Sequence, residues 1–139
     1  MKPYYKNELT TIYNGDCLEV MDYLIEQDIK VDAIITDPPY GMNFQCGSRK
    51  IKYDKLKNDD NLDFLPSFIK KAHKIMNENS SIIIFCSWHN VEIFKNVIQE
   101  KFEIKNMLIW NKGGGSLGDL DGSYMYTYEI AFFAIKGKI

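Results

Sequence analysis

The sequence predicts an open α/β fold, mostly parallel, with an antiparallel pair of strands at one edge. Three observations carry that expectation. The runs at residues 31–36 and 82–86 are almost wholly apolar and of strand length, which suits strands buried on both faces of a parallel sheet. Apolar residues recur at three- and four-residue spacing between them, as on one side of a helix. The last two strands, 104–110 and 128–135, are separated only by a glycine-rich loop.

Element by element, residues 9–13 are short and β-branched and end at Asn14-Gly15-Asp16. Leu18, Met21, Leu24 and Ile25 then fall at helical spacing, with Asp16 placed to cap. After the strand at 31–36, residues 41–61 lack periodicity and read as a long loop of the functional or mobile kind. Phe64, Leu65, Phe68, Ile69, Ala72, Ile75 and Met76 make a helical stripe, with Pro66 in its first turn and Asn61 or Asp63 as cap. Beyond the strand at 82–86, Asn90 is placed to cap a helix whose inner face is Val91, Phe94, Val97 and Ile98. No repeat, low-complexity tract or second domain interrupts this order, so residues 1–139 read as a single domain.

Composition narrows the function classes. The formal net charge is −2, so any nucleic-acid contact must come from a local patch. One is present: Arg49, Lys50, Lys52, Lys55 and Lys57 fall within nine residues, opposed only by Asp54. Lysine-rich loops also serve as plain solvated surface. Cys17, Cys46 and Cys86 are odd in number and widely spaced, which suits reduced thiols and argues against a metal site. The N-terminus has no apolar signal core and no run reaches membrane-spanning length, so a cytoplasmic location is expected. His73 is expected on an exposed helix face and His89 beside a strand end, neither with metal-ligand spacing.

The residues that carry chemistry are Asp37-Pro38-Pro39-Tyr40, directly after the second strand. The exocyclic amino group of adenine or cytosine is a weak nucleophile because its lone pair is delocalised into the ring. Two acceptors against its N–H bonds would free that lone pair for in-line attack on a methyl donor. Asp37 offers one through its side chain, and the carbonyl of Pro38 offers the other. Proline fixes φ, and the proline after it holds the preceding residue extended, so that carbonyl is stiff. The gain lies in positioning and in acceptors aimed at developing positive charge. Tyr40 supplies a face on which an extruded base can stack.

With this motif, Asn14-Gly15-Asp16 and the element order together, the chain resembles the catalytic half of the amino-methylating DNA methyltransferases. More narrowly, it is similar to those in which the Asp-Pro-Pro-Tyr motif precedes the cofactor motif, over residues 9–138. The resemblance implies a Rossmann-like sheet, S-adenosylmethionine as cofactor and DNA as substrate. It makes Asp37, Pro38, Pro39 and Tyr40 catalytic, and it places Asp16 and Asp37 against the cofactor. Asp16 is equally a helix cap, and the two roles are compatible. Arg49, Lys50 and Lys52 would grip phosphate near the flipped base. Asp rather than Ser before Pro-Pro-Tyr leans toward N6 of adenine, with N4 of cytosine as the alternative.

The strand at 82–88 resembles one wall of the target-base pocket. Trp88 is either part of that wall or a core side chain, and core is favoured. Tyr124, Tyr126 and Tyr128 either pack a flipped base or belong to an edge strand.

The family binds its cofactor largely through a Phe-x-Gly-x-Gly loop, which the resemblance places beyond residue 139. Residues 113–118 match Gly-x-Gly-x-x-Gly, but Asp119-Leu120-Asp121-Gly122-Ser123 cannot open the helix such a loop needs. The expectation is therefore a truncated domain: a fragment, half of a split enzyme, or a catalytically inactive remnant that still contacts DNA or a partner chain. An open sheet edge beside residues 9–13 would then invite pairing with a complementary chain or with a second copy.

Overall fold

The computed structural model describes residues 1–43, 59–114, 122 and 127–138. Its main sheet holds four strands: β3 (Val31–Thr36), β4 (Met76–Cys86), β5 (Glu103–Asn111) and β6 (Tyr128–Lys136). Their spatial order is β3-β4-β6-β5. The β3–β4 pair is parallel, while β6 runs antiparallel to both β4 and β5. Three strands thus point one way, and the reversed last strand is inserted between two of them. The predicted antiparallel pair does lie at one edge, with β5 outermost.

The first two strands stand apart. β1 (Tyr5–Lys6) and β2 (Thr11–Ile12) form a separate antiparallel pair. Asn7 closes it, its Oδ1 accepting from Leu9 N at 2.9 Å and Thr10 N at 2.7 Å. The Asn7 turn folds the N-terminus back onto one side of β2, while its other side pairs with no strand among the described residues. The edges of the main sheet are β3 and β5.

Helix α1 (Cys17–Glu26) starts where Asp16 predicts, the Asp16 carboxylate accepting from Leu18 N at 2.8 Å. Helix α2 (Leu65–Ile75) has Pro66 in its first turn, but Phe64 holds the cap position and makes no side-chain cap bond. Asn61 instead accepts from Asp63 N in the loop before it. At the far end Lys136 of β6 donates to the carbonyls of His73 and Met76, at 2.9 and 2.8 Å. It thereby satisfies acceptors that a helix terminus leaves without partners. Helix α3 (Val91–Gln99) follows a single 3-10 turn at Trp88–Asn90.

The core forms where the inward faces of β4 and β6 meet the helices. Ile82, Ile84 and Cys86 cluster with Ile130, Phe132 and Ala134, and with Leu65, Phe68, Ile69, Phe94 and Ile98 from α2 and α3. Sheet residues alternate between faces, so the opposite face carries a different set. β3 departs from expectation here. It was expected to be buried on both faces, yet Ala33 is exposed and Ile35 is 74% exposed. β3 is an edge strand, and the helices of the described residues pack on the other face. His73 is half-buried rather than exposed, its ring edge-on to Phe102 at 5.4 Å. Burial lowers its pKa below the usual imidazole value.

Phe94 is fully buried at the centre of this cluster. Phe94→Ala is expected to cost about 3–5 kcal/mol of folding free energy, whereas Asp16→Ala should cost only about 1 kcal/mol through the lost cap. Urea unfolding of both variants measures the contrast; equal losses would contradict this assignment of core and cap.

Candidate active site

The parallel register pairs Thr36, the last residue of β3, with Ile84, and β4 runs on two residues to Cys86. Asp37-Pro38-Pro39-Tyr40 leaves β3 there, beside Cys86-Ser87-Trp88 leaving β4. Antiparallel pairing brings the start of β6 to the same place, with Cys86 opposite Ile130. Tyr128 and Glu129 therefore join the same end of the sheet.

Two cavities flank the motif. The first, of about 460 Å³, is lined by Asp37 to Tyr40, Met42, Asp59, Cys86 to Trp88, and Tyr128 to Ile130. The second, of about 590 Å³, is lined by Asn14 to Leu18, Thr36 to Pro39, Phe64 and Phe68. Asp37, Pro38 and Pro39 belong to both and form the partition between them. The first cavity is aromatic with carboxylates at hand. The second combines two carboxylates, Asp16 and Asp37, with apolar walls.

The Asp37 side chain is exposed at this partition, and the Tyr40 hydroxyl donates to its Oδ1. Burial raises the Tyr40 pKa well above the usual phenol value, and the hydrogen bond and negative charge of Asp37, then Glu129, push it the same way. Tyr40 is thus a neutral donor holding a charged acceptor. Glu129 is paired with Lys112, whose ammonium lies 5.9 Å from the Trp110 ring centre. Burial also pushes the Cys86 thiol up to about 11, so it enters the first cavity as a neutral apolar group.

Behind Tyr40 lies a clamp that sequence reading missed. Asp59 is 4% exposed, and its Oδ1 accepts from three successive amides, Tyr40, Gly41 and Met42, at 3.0, 3.1 and 3.3 Å. Gly41 has φ +70°, and a Cβ there would lie 3.0 Å from Leu62 Cγ, so glycine is required on both counts. Asn90, expected as a helix cap, makes no side-chain cap bond. Its Nδ2 donates instead to the Tyr40 carbonyl at 2.6 Å.

Of the predicted site residues, Asp37, Pro38 and Pro39 are brought together with Asp16 across the second cavity, and with Tyr40 in the first. Trp88 is not core: it is 47% exposed, lines the first cavity, and stacks on His89 at 3.8 Å between ring centres. Tyr128 lines the same cavity, while Tyr124 and Tyr126 fall outside the described residues. Arg49, Lys50 and Lys52 also lie outside them. Among the described residues, Asn43 N donates to Asp59 O at 2.5 Å. Phe64 and Phe68, read from sequence only as a core stripe, also wall the second cavity. Among the described residues no cluster of His, Cys, Asp and Glu could hold a metal ion. No helix there is long and apolar enough to cross a membrane.

The Tyr40 hydroxyl supplies a pH test. Its folded-state pKa lies above the unfolded value, so its contribution to stability is complete below about pH 10 and is lost as pH rises toward the folded pKa. Tyr40→Phe should flatten the alkaline loss of stability, followed by chemical denaturation between pH 8 and about 11. Identical alkaline slopes for the two proteins would contradict the pairing with Asp37.

Comparisons with known proteins bear on the family and the fold. The sequence model of the N6 and N4 methylase family, described as DNA methylase, matches residues 31–139. The chain is 30% identical to the type II methyltransferase M2.MboI of Moraxella bovis over 125 residues, 81% of this chain and 45% of that protein. It is 28% identical to the DNA adenine methyltransferase YhdJ of Escherichia coli, covering 95% of this chain and 43% of that one. The crystal structure of an M1.HpyAVI complex with S-adenosylmethionine superposes with a TM-score of 0.68 at 27% identity, over 91% of this chain and 53% of that one. The chain thus spans less than half the length of these curated relatives. On the strength of the match over residues 31–139, this chain belongs to the N6/N4 DNA methylase family.

Proposed function

We propose that residues 1–139 form a catalytic methyltransferase domain that transfers a methyl group from S-adenosylmethionine to N6 of adenine in DNA. The observation that carries this reading is the shared wall. Asp37, Pro38 and Pro39 separate an aromatic cavity from one with carboxylates and apolar walls, as transfer between a base and a cofactor requires. YhdJ, a relative over nearly the whole chain, is an adenine methyltransferase by name, which favours adenine.

The second cavity fits the cofactor. Asp16 has acceptor capacity left after capping α1 and suits the ribose hydroxyls. Phe64 and Pro39 offer apolar surface, and Asp37 places negative charge near a cationic sulfur. When bound, S-adenosylmethionine supplies an electrophilic methyl carbon. No Phe-x-Gly-x-Gly sequence occurs within residues 1–139.

The remaining chemistry falls to this chain. Tyr40, Trp88 and Tyr128 give the flipped base aromatic surface. Asp37 and the Pro38 carbonyl accept from the amino group, drawing its lone pair out of conjugation. The Tyr40 hydroxyl fixes the Asp37 carboxylate, which leaves Oδ2 for the substrate. Water is kept out by Met42, Cys86 and Ile130 on the wall of the same cavity. Arg49, Lys50 and Lys52 supply the positive charge for DNA in a net acidic chain.

Incorporation of labelled methyl groups into DNA, followed by base analysis of the digest, tests this directly. The expected product is N6-methyladenine, and N4-methylcytosine would overturn the choice of base. Asp37→Ala should lower the rate by at least about 10³-fold while the fold survives, because an acceptor aimed at the reacting nitrogen is lost. Near-normal turnover in that variant would refute the assigned role. The assay is run with the chain alone and with a polypeptide carrying a Phe-x-Gly-x-Gly loop. Activity only in the second case identifies a split enzyme, and none in either identifies an inactive remnant.

A further inference from the structure

We propose that Asp59 and Asn90 are positioning residues for methyl transfer, fixing the Tyr40 backbone from both sides and, through Tyr40, the Asp37 carboxylate. The proposal rests on the reading of Asp37 as the acceptor for the amino group.

A buried carboxylate is retained only where hydrogen bonds replace its lost hydration. Asp59 meets that requirement with consecutive backbone amides, which converge on one oxygen because Gly41 takes the left-handed conformation. Such charge-assisted bonds are about twice as strong as neutral ones. The Tyr40 amide is thereby fixed by Asp59, and the Tyr40 carbonyl by Asn90 at 2.6 Å. With both peptide groups held, the direction of the Tyr40 side chain is set, and its hydroxyl reaches Asp37. Asn90 also links the two walls of the first cavity, since its own amide donates to the Ser87 carbonyl at 3.1 Å.

Helix capping is the competing explanation for Asn90, and the structure separates the two. Asn90 makes no side-chain cap bond, so Asn90→Ala removes a bond to the motif and none to α3. Asp59 likewise lies outside every helix and strand.

Amide hydrogen exchange on the full chain, without DNA or cofactor, reads the clamp itself. In Asp59→Ala the amides of Tyr40, Gly41 and Met42 should exchange at least about tenfold faster, with those of β4 and β6 unchanged. Asn90→Ala should keep its melting temperature within about 2 °C and speed exchange of the same three amides about threefold. If Asp59→Ala fails to fold, Asn90→Ala decides. In the methylation assay Asn90→Ala should lower kcat about tenfold and leave KM for DNA within about twofold. A melting-temperature loss with unchanged kcat would mark a merely structural role and overturn the proposal. So would unchanged exchange in the folded variants, even if the wild-type chain methylates DNA. Absence of methylation by the wild-type chain, both alone and with the polypeptide carrying a Phe-x-Gly-x-Gly loop, would defeat the functional reading and leave the exchange result to stand by itself.

Discussion

The parallel pairing of β3 with β4 is the constraint on which the site depends. Opposing Thr36 with Ile84 fixes where the two strands stand relative to each other, and Asp37 to Tyr40 and Cys86 to Trp88 are then a short count from that line. A slip of one residue would turn Ile82 and Ile84 out of the core and carry Asp37 away from Tyr128 and Glu129. The apolar run of β4 prevents it, because Ile82, Ile84 and Cys86 have only one buried face to occupy. Packing that looks purely structural therefore sets the spacing of the groups that line the first cavity.

Three carboxylates face or border the first cavity, and each has a different kind of partner. Asp59 is held by amides, Glu129 by a lysine and Asp37 by a phenol. These partners grade how available each acid is. The amide clamp fully occupies one oxygen of Asp59, and the ammonium of Lys112 offsets the charge of Glu129. A neutral hydroxyl orients Asp37 without cancelling its charge. Of the three, Asp37 is thus the exposed carboxylate that is oriented without a cationic partner.

Much of this was legible in the sequence where local chemistry decides the outcome. The cap at Asp16, the stripes of α2 and α3 and the strand at Ile82 follow from periodicity and side-chain type. The motif at Asp37 announced itself through two prolines after an apolar run. What was not legible depends on partners far apart in the chain. Nothing near Asn90 reveals that Tyr40, fifty residues earlier, takes its side-chain amide. Asp59 lay among other polar residues, and only its burial against three amides distinguishes it. Trp88 read as core because large aromatic residues usually are, whereas its position two residues past the strand end carries it into the cavity. β3 read as buried on both faces because sequence shows apolarity but not which strand is outermost.

The position of β6 also governs the order in which the chain can assemble. As the polypeptide emerges, β4 and β5 both precede the strand that joins them, and neither pairs directly with the other. Until residues 128–136 arrive, β5 has Met107, Leu108, Ile109 and Trp110 without a neighbour on either side. The end of α2 likewise waits for Lys136. Completion of the sheet, the helix terminus and the aromatic pocket is one late event rather than three. A nascent chain of this topology carries an unfinished sheet until residues 128–136 have left the ribosome, and that delay invites chaperone capture.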